Sequence, residues 1–209
     1  MARTLKKKTE PNLYIEGEQG KSIFFRPLEG TISEQEISEL QGSIDEIWHK
    51  LSAFQDERLV VLVGALLIES KIDEMLDSIF YNYSSLKESR DFSFSIRIEI
   101  ARSLGLIPAH LFNSADIIRK LRNEFVHNLK CNKFSMIEKQ VLIPKMIGHI
   151  TKFNKTFVDS MGNLGAFKTL VTFVFIGLFV YTKHILWMNR FLRDPDFLSI
   201  LGRYVNNQQ

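Results

Sequence analysis

Ten consecutive residues, Leu59 to Ile68, would be apolar on every side of a helix, after which the pattern narrows to a stripe of Ile72, Met75, Leu76, Ile79 and Phe80. A helix that is apolar all round needs partners all round, whereas a stripe needs them on one side only. The segment from Asp56 to about Tyr83 is therefore expected to be the central helix of a bundle. Glu69 shares a row with Ile72, Leu76 and Phe80 at i, i+3 and i+4 spacing. A carboxylate in that row is either paired and partly buried or part of a site.

Other segments carry the same period. Ser33, followed by Gln35 and Glu36, reads as an N-cap with acid in the first turn. The apolar face behind it is Ile37, Leu40, Ile44, Ile47, Trp48 and Leu51. A polar link, Ser84 to Asp91, leads to a helix near Phe94–Leu104 that Gly105 would end. Pro108 opens the next helix. After a break at Cys131-Asn132, a helix near Ser135–Asp159 contains Pro144 and is expected to kink there. Gly162 and Gly165 flank the start of a last helix reaching about Leu192. Residues 1–31 read as a basic tail and a short hairpin, with strand-like runs at Asn12-Leu-Tyr-Ile-Glu and Ser22-Ile-Phe-Phe-Arg. The expected division is tail and hairpin 1–31, an all-α up-and-down bundle 32–193, and a C-terminal tail 194–209.

Seventeen Phe and only five Pro suit long helices packed by aromatics, and 45% hydrophobic with 24% charged residues describes a globular chain. The single Cys131 excludes an intramolecular disulfide and fits a reducing, cytoplasmic setting. The basic start is followed by no apolar signal region. Thr169 to Thr182 is uncharged for 14 residues, short of the ~20 that a membrane span needs. A core or dimer-interface helix is expected there, and a membrane anchor is not. Net charge is +3 but unevenly spread. Glu34–Asp91 holds 13 acidic and 5 basic residues; Arg119–Lys155 holds 9 basic and 2 acidic. The basic half suits an anionic partner or, equally, solvated helix faces.

That basic half contains Arg122-Asn123-Glu124-Phe125-Val126-His127, near the end of a helix. At about 100° per residue, Ile117, Ile118, Leu121 and Phe125 share the core-facing sector. Asn123 and His127 lie together, near Asp116 and Arg119, roughly opposite it. Arg122 stands on the shoulder, about 140° from His127 on an ideal helix. His127 thus faces solvent, a cleft or a second chain.

The pattern of Arg, a polar residue and His near a helix end, in an otherwise helical chain, resembles the signature of the HEPN superfamily. Ala101-Arg-Ser-Leu-Gly-Leu-Ile-Pro and Ile118-Arg-Lys-Leu-Arg-Asn-Glu-Phe-Val-His-Asn resemble more closely its mannitol-operon repressor branch, over about residues 50–130. The resemblance implies a helical bundle, commonly dimeric, whose two motifs meet to cut RNA without metal or cofactor. A protein of toxin or defence type with an antidote or regulatory partner is one implication. The alternative is a non-catalytic transcriptional regulator working through protein contacts.

The residues suit the first chemistry. Cleavage through the RNA 2′-hydroxyl needs a base, an acid and positive charge on the phosphate. His127 has a side chain able to move a proton near neutral pH. Arg122 offers a forked, permanent charge for phosphate oxygens, and Asn123 can orient the ring or the phosphate. Arg119, Lys120, Lys130 and Lys133 would steer the RNA backbone. Structural roles compete for the same residues: His127 against the helix dipole, Asn128 as a left-handed helix end, and Arg122 paired with Glu69 to tie two helices. No phosphate loop, HExxH or nucleophile elbow is present, and five scattered histidines lack ligand spacing. The row Glu69, Asp73, Asp77 reads as a solvated acidic face.

Overall fold

The computed structural model describes residues 33–193 other than 90, 129 and 138, and no side chain at 152–161, 187 or 190–193. The expected hairpin and both expected tails lie outside the described residues. Within them the fold is all-α: α1 (Glu34–Ser52), α2 (Glu57–Asp77), α3 (Tyr83–Lys87), α4 (Phe94–Ser103), α5 (Ala109–His127) and α6 (Leu142–Arg193), with a single 3-10 turn at Phe134–Met136.

Helix starts follow the caps in the sequence. Ser33 and Glu36 form a reciprocal capping box at α1, and Asp56 accepts from the Leu59 amide at α2. Gly105, at φ 67, follows the end of α4 in the left-handed region that glycine enters without strain. Three elements depart from expectation. α2 stops at Asp77, not Tyr83, with the Ser78 hydroxyl donating back to the Met75 carbonyl. Tyr83–Lys87 then forms a helix of its own inside the expected link. Pro144 is the third residue of α6, where no amide hydrogen bond is lost, so it does not kink the helix.

The helix expected from Ser135 begins instead at Leu142, because Ser135 lies in the 3-10 turn Phe134–Met136; the two helices expected in this region are then one assigned helix, but not one rod. Ser114 Oγ lies 2.9 Å from His149 Nδ1, while Leu111, one turn earlier on α5, packs against Gly177. In a straight helix residues 149 and 177 would stand about 42 Å apart. α6 must therefore bend between them, and Gly162 at φ 64 is its positive-φ glycine. We call the stretch from Gly162 onward the second arm.

That arm lines the core with Ala166, Phe167, Leu170, Val171, Val174 and Leu178. Lys183 pairs with Glu36 and Glu39 at the start of α1, so α1 and the second arm run antiparallel. Gly64 meets Phe167, and Ser78 accepts from Asn189, so α2 runs parallel to the arm. α5 runs antiparallel to it, from Leu111 near Gly177 to Phe125, whose ring packs through Phe134 on Phe167. α1, α2, α5 and the second arm thus form an up-and-down set, flanked by α3 and α4. At Gly64 a Cβ would lie 2.8 Å from Phe167 Cε1, so this position of α2 accepts no side chain without movement.

The expectation that α2 is enclosed on all sides is corrected. Leu59 and Leu66, a heptad apart, are 43% and 59% exposed, so one flank of the apolar run faces outward. In the 14-residue uncharged run, Leu170, Val171, Val174, Leu178, Phe179 and Thr182 are buried and the other residues are half-buried. By length and composition alone, Gly162–Leu186 is also apolar enough to cross a membrane, at a mean hydropathy of 1.9.

Candidate nucleic-acid interface at the end of α5

The core stripe of α5 is buried as the periodicity requires: Ile117, Ile118, Leu121 and Phe125 are 6% exposed or less. The opposite side carries the motif. Arg122 and Asn123 are half-buried, and the Arg122 guanidinium donates to Asn123 Oδ1 at 3.2 Å. His127, the last residue of α5, is exposed and makes no side-chain hydrogen bond to another described residue. The asparagine therefore holds the arginine, and no hydrogen bond joins either to the imidazole within the chain.

Asn128 ends α5 differently from the left-handed turn considered for it. Its backbone is extended, at φ −102 and ψ 95, and its Oδ1 accepts from the Lys130 amide at 3.1 Å. This small side-chain turn follows the last helical residue, and the segment beyond it buries Cys131 and Phe134 in the core. The carboxylates near the motif are occupied. Glu124 binds Lys139 Nζ at 2.7 Å. Asp116 receives Arg119 at 2.7 Å and Lys120 at 2.5 Å. Burial pushes the Asp116 carboxyl up, but hydrogen bonds from Lys120 and Arg119 and their charge outweigh it and hold it below its usual range. The remaining cations, Arg122, Lys130 and Lys133, have no ion-pair partner among the described residues. Among the described residues these three keep no counter-charge, while Arg119 and Lys120 are partly neutralised.

Glu69 is not beside the motif, and the pairing with Arg122 considered for it is not formed. It binds Arg97 Nη1 of α4 at 2.9 Å, and the same nitrogen reaches Asp73 Oδ2 at 3.0 Å. Tyr83 donates to Asp73 Oδ1 at 2.5 Å, and Lys87 approaches Asp73 at 3.2 Å. Arg97 also lies over the Phe92 ring. Burial, then the bond to Asp73, pushes the Tyr83 phenol far above its usual range. The expected solvated row is thus corrected: Glu69 and Asp73 are locked by a cation, and only Asp77 is exposed. The row of Glu69 with Ile72 and Leu76 did signal a paired carboxylate. Nothing in the sequence singled out Arg97, 28 residues away, over Arg122.

No group of three or more His, Cys, Asp or Glu side chains able to hold a metal occurs among the described residues. No family model matches the chain, and neither a curated protein nor a solved structure matches it.

Proposed function

We propose that the protein is an endoribonuclease that cuts RNA through the 2′-hydroxyl, using Arg122, Asn123 and His127 of two copies of the chain. One observation carries this reading: an exposed imidazole and a guanidinium oriented by an amide lie in the last turns of the same helix, with cations that have no ion-pair partner among the described residues. One His127 takes the proton from the 2′-hydroxyl as that oxygen attacks phosphorus. The bond from phosphorus to the 5′-oxygen breaks, and the partner's His127 returns a proton to that oxygen. Arg122 offsets the charge gathering on the phosphate. A pair of chains supplies two imidazoles, and it relieves the wide angle separating Arg122 from His127 on one helix.

The test is RNA degradation by the purified protein in EDTA. His127→Ala and Arg122→Ala are each expected to lower the rate by about 10²–10⁴-fold with unchanged helicity. Intact RNA with the wild-type chain overturns the reading. A second reading, a regulator acting by protein contact, is favoured by the outward apolar flank of α2 at Leu59 and Leu66. It requires that RNA stay intact and that Leu66→Glu change the assembly state, read by sedimentation.

A further inference from the structure

A shallow cleft of about 620 Å³ opens between the last turn of α1 and the beginning of the second arm. Trp48, His49 and Ser52 line one wall; Leu164, Gly165 and Lys168 line the other. The volume lies within the range of small-molecule sites. The chemistry of the lining is one-sided. Among the described residues its polar groups are an ammonium, an imidazole, a hydroxyl and the indole N–H of Trp48, with no carboxylate. Lys168 is half-buried, and it has no ion-pair partner among the described residues. A cation held partly out of water without a counter-charge is destabilised, and an anion beside it would restore what solvent had supplied. The apolar part is equally specific. Trp48 is half-buried and offers an aromatic ring, Leu164 an aliphatic edge, and Gly165 no side chain to fill the space.

We propose that this cleft binds a small aromatic anion, its ring lying on Trp48 and its carboxylate or phosphate paired with Lys168. His49 and Ser52 supply the further hydrogen bonds. Stacking on an indole tolerates many ring systems, so the charge sets the ligand class. The site stands apart from the RNA reading, although it lies at the same end of the bundle. Phe167, next to Lys168, packs on Phe134, which packs on Phe125, two residues before His127.

Isothermal titration of the full chain tests it, with AMP as a phosphate and 2-aminobenzoate as a carboxylate. Adenosine and aniline are the neutral counterparts. At least one anion is expected to bind at one site per chain, its neutral counterpart about tenfold or more weaker. Which anion binds says whether phosphate or carboxylate is preferred. Lys168→Gln and Trp48→Ala are each expected to weaken that binding about tenfold. His49→Gln, at an exposed position, weakens it to a smaller extent and decides the matter if Trp48→Ala fails to fold. The proposal is overturned if neither anion binds, if the neutral compounds bind as well, or if Lys168→Gln leaves affinity unchanged. RNA cleavage is not the readout, so failure of either proposal leaves the other intact.

Discussion

At the scale of single residues, arginines decide most of the molecule's character, and they do so by company. Arg97 is surrounded by two carboxylates, a phenol hydrogen-bonded to one of them, and a ring face. Arg122, half-buried, has an amide and no ion-pair partner among the described residues. Both are arginines on helices near apolar stripes, so helical spacing alone makes Arg122 as good a partner for Glu69 as Arg97. Pairing across 28 residues depends on how α4 lies against α2, which local spacing does not encode. The energetic contrast is testable. Arg97→Met leaves Glu69 without its cation and Asp73 with only the half-exposed Lys87, and is expected to cost about 3–5 kcal/mol. Lys87→Met, at a side chain 55% exposed, is expected to cost about 1 kcal/mol or less. Urea unfolding of the two variants measures both. Equal losses would mean that Lys87 secures the cluster as much as Arg97 does.

At the scale of elements, helix starts were legible and helix ends were less so. Ser33, Asp56 and Pro108 each mark a start through chemistry confined to a few residues. The end of α2 depends on the Ser78 hydroxyl turning back, and α3 depends on Tyr83 reaching Asp73, so neither was visible in a hydrophobic period. The break in α6 was legible as a glycine but misread in form: the helical assignment continues through Gly162 while its φ is 64. Two glycines of the same helix separate backbone demand from mere helix propensity. Gly162→Ala puts a Cβ on a left-handed residue and is expected to destabilise by about 1–2 kcal/mol. Gly148→Ala meets no atom within 4 Å and is expected to stabilise by about 0.5–1 kcal/mol. Denaturation midpoints that moved the same way for both would remove Gly162 as the bend.

At the scale of the whole molecule, a net charge of +3 hides a division that folding softens. The acidic segment turns part of its charge inward, where Arg97 meets Glu69 and Asp73, while Glu74 pairs with Lys71 from an exposed position. The basic segment keeps Arg122, Lys130 and Lys133 outside ion pairs among the described residues, but gives Arg119 and Lys120 to Asp116. The five-cation surface expected from the sequence is therefore reduced, because one carboxylate of its own helix stands a turn below. That carboxylate is also a dial. Since its pKa is lowered in the fold, the Asp116 pairing is fully present above the ordinary value of 3.8 and is lost only as pH falls through the lowered one. Any pH dependence of RNA binding at pH 5–8 thus cannot come from loosening this cluster. Asp116→Asn releases both cations at any pH. If RNA meets this face, each newly engaged phosphate contact steepens the dependence of log affinity on log salt by about 0.7 for a single strand. The variant is then expected to bind RNA more tightly at low salt than the wild type, with a slope steeper by up to about 1.4. Binding titrations at several salt concentrations measure this. An unchanged slope would mean that RNA does not touch Arg119 or Lys120, and would confine any contact to the far end of α5.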